Sequence, residues 1–165
     1  MKRPLLASTL TLLLLAAPAF AEGEPPVPET ITFVVSTGYW EEPADTEDDE
    51  TAQAEAPAGK PAEMRRGYYK LIAVRQPDGT AEIHLQQIES TAEGPKIASS
   101  TELEEFSALK PYVTDIRPEN SSGITTQPGL FATVYLKTDP KAAEPESWTV
   151  LVDDLGEIRI ERATN

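Results

Sequence analysis

The chain has 165 residues, carries 28 acidic against 14 basic side chains for a net charge of −14, and contains no cysteine. A charge of that sign repels phosphate backbones and anionic headgroups, which argues against nucleic-acid binding and membrane-surface binding. The missing cysteines remove thiol catalysis, Cys-type zinc sites and redox roles together, and the length suits one domain.

Lys2 and Arg3 give a positive start, Leu5 to Ala17 is an apolar centre, and Ala19-Phe20-Ala21 is a small-x-small site before Glu22. These are the parts of a secretory signal peptide, residues 1–21, cleaved after Ala21. A membrane-spanning helix needs about 20 apolar residues, and Pro18 closes this run short of that. Cleavage takes away two of the 14 basic side chains and none of the 28 acidic ones, so the mature chain is more acidic still. Without a cysteine to carry lipid, it is expected to be soluble. Small secreted domains of animals usually lean on disulfides, so an exported, cysteine-free chain points to the bacterial periplasm. In that setting the sequon Asn120-Ser121-Ser122 reads as an ordinary polar loop.

In chain order, residues 22–29, EGEPPVPE, form a Pro-rich polar leader with little to bury, expected to be disordered. Residues 30–40 alternate, with Ile31, Phe33 and Val35 on one face, and read as a strand. The stretch 41–66 opens with eight carboxylates (Glu41, Glu42, Asp45, Glu47, Asp48, Asp49, Glu50 and Glu55). With almost no large apolar side chain it cannot offset the entropy of ordering its backbone, so it is expected to be a disordered acidic loop. Such an insertion costs little because loop closure grows only logarithmically with length, and its charge keeps the neighbouring sheet edge from pairing with other chains. GYYKLIAVRQ (67–76) and TAEIHLQQIES (80–90) flank Pro77-Asp78-Gly79, a hairpin signal. Tyr68 to Val74 is apolar on both faces, as expected of a central strand.

Residues 100–111, STELEEFSALKP, are the one helix candidate. Thr101 and Glu104 have capping-box spacing, Leu103, Phe106 and Leu109 share a face, and Pro111 ends the run. Strands follow at 112–117 and 130–138, separated by the loop 120–129. After the polar loop 139–147, WTVLVDD (148–154) and EIRIER (157–162) make a second hairpin around Leu155-Gly156. About seven antiparallel strands without regular strand–helix alternation predict a mostly β single domain over 30–162, a small sandwich or open barrel with one short helix. An α+β sheet with a helix across one face is the alternative.

Chemistry-bearing constellations are few. His84 is the only histidine, and its strand places it opposite Ile83 and Leu85 beside Glu82 and Gln86, a solvent-facing position. One His cannot supply the usual metal or nucleophilic sets, and no G-x-S-x-G, phosphate loop or H-E-x-x-H occurs, so neither a catalytic site nor a cofactor is expected. The run Asp45–Glu50 offers hard oxygen ligands but lacks the spacing and the glycine that wrap a chain around Ca²⁺, and no metal site is expected. Asp153 to Glu157 combines carboxylates with Gly156, which is what a hairpin turn wants. Among the aromatic residues Trp40, at the edge of the acidic loop, is the best candidate for exposure. Asp115 and Arg117 share a strand face as an ion pair. Trp40, Asp115 and Arg117 form the candidate partner surface.

As a whole the chain resembles the small exported bacterial proteins whose families carry no assigned function. The resemblance rests on the signal, the Cys-free β domain and the acidic linker, and it transfers no site. The expected function is non-catalytic: a periplasmic protein that binds another envelope component, a protein of basic character. The alternatives are a divalent-cation-responsive protein using the acidic loop, and a carboxylate-based hydrolase.

Overall fold

The computed structural model describes residues 27–44, 64–119 and 127–163. The signal segment, the acidic run 45–50 and residues 120–126 of the polar loop lie outside them. The elements are β1 (Ile31–Pro43), β2 (Met64–Arg75), β3 (Ala81–Thr91), β4 (Gly94–Glu102), α1 (Glu104–Leu109), β5 (Tyr112–Pro118), β6 (Leu130–Lys137), β7 (Glu146–Val152) and β8 (Ile158–Arg162). They build two four-stranded sheets, β1-β2-β3-β4 and β5-β6-β7-β8. Every pairing is antiparallel. This is the expected mostly β class, in the sandwich form and not a closed barrel.

Period-two patterning makes the core. Tyr69, Leu71 and Ala73 of β2, Ala81, Ile83 and Leu85 of β3, and Leu130, Ala132, Val134 and Leu136 of β6 are all buried in one cluster with Val150 and Val152. Each large side chain among them contributes roughly 1.5–3 kcal/mol on leaving water. The β2–β3 register sets Leu71 opposite Leu85 and Ala73 opposite Ile83, so the inward faces coincide. β2 is central, as expected, but only one of its faces reaches the core: Ile72 and Val74 are half-buried on the other side.

Four details differ from the sequence reading. An eighth strand, β4, lies where no pattern suggested one, because nearly every residue along it is exposed and there is no inward row to alternate. It takes up Thr101 and Glu102, so the expected capping box does not form. The N-cap is Leu103, without a side-chain cap bond, and Ser107 donates to the Glu102 carboxylate at 2.6 Å. α1 therefore has six residues and ends at Lys110, which takes the left-handed conformation (φ 48°) just before Pro111. Finally, the strands run into the expected 41–66 loop from both sides, pairing Glu41 with Arg66, Glu42 with Arg65 and Pro43 with Met64. The opposite charges of the first two pairs support the extension.

The two ends of the sandwich are built differently. At one end α1 packs Leu103 and Phe106 into the core, and Phe106 meets Trp148 edge-on with ring centroids 6.1 Å apart. At the other end the first sheet reaches the second through a bridge, Tyr39 N–H to Gly129 O at 3.0 Å and Gly129 N–H to Tyr39 O at 2.7 Å. Both glycines of this crossing have positive φ, and a Cβ on Gly38 would stand 2.6 Å from the Gly129 carbonyl oxygen. Only bare backbone fits there.

Candidate functional site

The outer face of the second sheet gathers two of the three expected surface residues. A register shift between Val113 and Asp115 inserts one extra residue in β5. It allows Val113 and Ile116, three apart, both to be buried, and it turns Asp115 and Arg117 outward together. Arg117 Nε lies 2.6 Å from Asp115 Oδ2, and the guanidinium sits 5.1 Å from the Tyr135 ring centre. Asp115 raises the already high pKa of Arg117 through that hydrogen bond and its charge. The pair is solvent-exposed, so it positions the guanidinium more than it stabilises the fold.

Cross-strand register extends the face. Thr133 stands opposite Arg117 and donates to the Glu119 carboxylate. Phe131 stands opposite Leu151, and Leu151 opposite Arg159. Phe131, 47% exposed, borders a shallow groove of about 270 Å³ with Thr149, Leu151, Arg159 and Glu161. The sequence reading missed Phe131, Leu151 and Arg159. A signal was present: in LFATVYLK the inward row is Leu130, Ala132, Val134 and Leu136, which leaves Phe131 on the outer row among Thr133, Tyr135 and Lys137.

Trp40 does not join this face. It is 3% exposed and part of the core, and its indole Nε1 donates to the Ile88 carbonyl at 3.1 Å. The register shift between Thr37 and Trp40 turns it inward, and Gly67 makes room: a Cβ there would come 2.9 Å from the indole nitrogen and 1.7 Å from Ile88 O. The alternating pattern ends at Trp40, which is why the sequence predicts exposure there, but β1 continues to Pro43.

The other candidates are placed as follows. His84 points away from the buried Ile83 and Leu85, as its strand position implied, with Nε2 3.4 Å from Glu82 Oε2. Asp153 holds the β7–β8 turn, its Oδ1 accepting from Leu155 N–H at 3.0 Å and Glu157 N–H at 2.9 Å. That carboxylate is structural. Among the described residues no group of three or more His, Cys, Asp or Glu is placed to hold a metal ion; the acidic run 45–50 lies outside them. No helix among the described residues is long and apolar enough to cross a membrane.

The end away from α1 carries two further depressions. A broad groove of about 660 Å³ runs past Gly38, Gly129, Phe131 and Asp153. Beside it a narrower cleft of about 210 Å³ opens between the sheets, walled by Glu42, Tyr69, Leu85, Gln87, Ser99, Thr101, Val152, Gly156 and Ile158. Burial, then the charges of Glu42 and Asp153, raise the pKa of Tyr69 above its ordinary value, so its hydroxyl stays protonated and able to donate.

Geometry thus defines a two-sheet, antiparallel β protein with one short helix. Comparison of the chain with protein-family models, curated proteins and solved structures found no match in any of the three. This agrees with a resemblance that rests on no motif.

Proposed function

We propose that this is a non-catalytic periplasmic protein that binds another component of the cell envelope through the outer face of its second sheet. The observation that supports the reading is Phe131, half-exposed beside Leu151 and next to the Arg117–Tyr135 stack. Exposed aromatic rings and positioned arginines are the residue types that anchor protein interfaces. Folding alone does not account for Phe131 there, since the core is filled by the opposite row of β6. The net charge of −14 steers basic proteins toward the chain and makes their association sensitive to salt.

Photo-crosslinking in living cells tests this directly. A crosslinking residue at Phe131 or Leu151 is expected to capture one envelope protein of basic character, with capture reduced by Arg117→Ala and by raised salt. The same residue at Ile97 on β4 serves as the control and is expected to capture nothing in common. Capture confined to the control position, or recovery of the tagged chain outside the periplasm, overturns the reading.

A further inference from the structure

We propose that the inter-sheet cleft at Tyr69 is a binding site for an ammonium or guanidinium group carried on a short aliphatic stem. Tyr69 is 6% exposed, yet its side chain lines the cleft. Its backbone pairs with β1 and β3, but no described residue donates to or accepts from its hydroxyl. The ring is buried but the hydroxyl is not sealed off, and a phenol tip ordinarily takes a partner where it reaches the surface. Here the only direction left for one is the cleft.

The walls define what fits. Leu85, Val152 and Ile158 supply an apolar lining that would pack against methylene groups, as lysine and arginine stems do on apolar surfaces. At the rim, Glu42 holds Arg65 at 3.3 Å through Oε1. Asp153, one residue beyond Val152, uses Oδ1 for the turn. Both carboxylates act on the Tyr69 hydroxyl, and their sign raises the cost of bringing an anion there. A cation gains from the same field and can donate to the lone pairs of the phenol oxygen. This inference rests on the cleft alone and stands or falls independently of the outer face.

The chemistry has two sources, a free amine or a side chain of a polypeptide, and two probes separate them. The purified chain is titrated with cadaverine and with a blocked lysine peptide, while methyl resonances of Leu85, Val152 and Ile158 are followed by NMR; glutarate serves as the anionic control. Saturable shifts confined to these methyls with either cation, absent with glutarate, are expected. Tighter uptake of cadaverine assigns the site to free amines, and tighter uptake of the peptide to a protein partner. Tyr69→Phe keeps the ring and its packing, so it is expected to melt as the parent does while binding about tenfold more weakly, the loss of one hydrogen bond to a charged group. Should the variant fail to fold, Glu42→Gln and a salt series provide the same reading, both weakening uptake. No shifts at millimolar probe, equal shifts with glutarate, or a folded Tyr69→Phe that binds unchanged would overturn the site.

Discussion

The two ends of one sandwich show how differently the same pair of sheets can be finished. At the helix end Phe106 of α1 and its N-cap Leu103 lie in the core, with Trp148 edge-on to Phe106 and Leu109 packed against the same cluster. At the opposite end, among the described residues, the strands finish in turns, a backbone bridge between Tyr39 and Gly129, and two grooves with polar rims. One end is plugged by apolar side chains, beside a shallow polar groove at Asp78, Thr80, Ser107 and Lys110. The other leaves a phenol without a partner and carboxylates at the rim. The expectation is that truncation at the helix end costs the most stability, while the proposed cation site lies at the other end.

The strongest way to break this contrast is Phe106→Ala. Phe106 is wholly buried and in edge contact with Trp148, so its loss removes transfer energy and leaves a cavity, for about 3–5 kcal/mol. That is a large part of an ordinary domain's stability, and urea titration is expected to show the midpoint collapsing toward zero denaturant. A midpoint shift as small as that of Tyr69→Phe would mean that the ends do not differ as described.

Phe106 was legible from sequence because its spacing with Leu103 and Leu109 puts three apolar residues on one face. The inward row of β3 was legible for the same reason, since alternation is imposed by the pleat and one face must be buried; β2 reads as apolar on both faces, and its single inward row emerges only from its pairing with β3. What escaped is what local pattern does not encode. β4 is almost wholly exposed, so it has no inward row, and its last residues carried helix-start chemistry that the Leu103–Ile83 backbone bond overrides. Trp40 was misjudged because an inserted residue in β1 inverts its facing, and such irregularities depend on what lies opposite, here Gly67. The Asp115–Arg117 face was legible because both residues follow the bulge in β5. Its partner Phe131 became visible as a surface residue only once β6 had neighbours on both sides.

At the crossing of the sheets, Gly129→Ala tests whether the far end is also under tight constraint. Gly129 has φ +125°, and an added Cβ would stand 2.5 Å from the Val152 carbonyl oxygen. Relief requires Gly129 to move away from β7, which strains its bridge to Tyr39, at a cost on the order of 1–3 kcal/mol. Amide exchange is expected to accelerate at Tyr39 and Leu130 while the α1 amides keep their protection. Equal acceleration at both ends would show that they unfold as one unit.

Lys110→Gly should act in the opposite direction and more weakly. Lys110 ends α1 in the left-handed conformation, which costs a side-chain-bearing residue roughly 1–2 kcal/mol. Glycine removes that cost but gives the unfolded chain back about 0.4–1 kcal/mol of freedom. The net gain is therefore about 0.5 kcal/mol, visible as a slightly higher melting temperature. A fall would mean that the Lys110 side chain makes a contribution greater than its backbone penalty.

The smallest effect compares the hairpin turns, one at each end and built on one plan. Asp78 Oδ1 accepts from the Thr80 hydroxyl at 2.6 Å and from Thr80 N–H at 3.0 Å, as Asp153 Oδ1 accepts from Leu155 and Glu157. The Thr80 hydroxyl, then the Thr80 amide, hold the Asp78 carboxyl below its ordinary pKa. A carboxylate whose folded value is lower than its unfolded one contributes stability that is fully present above the unfolded value and is lost as pH falls through the folded one. The Thr80 amide resonance is therefore expected to titrate with a midpoint below the ordinary carboxylate range, and the acid limb of the stability curve to flatten slightly in Asp78→Asn. Because Asp78 is exposed, solvent screening keeps the difference small. A Thr80 midpoint at or above the ordinary carboxylate value would show that the turn at the helix end forms without its Asp78 bonds.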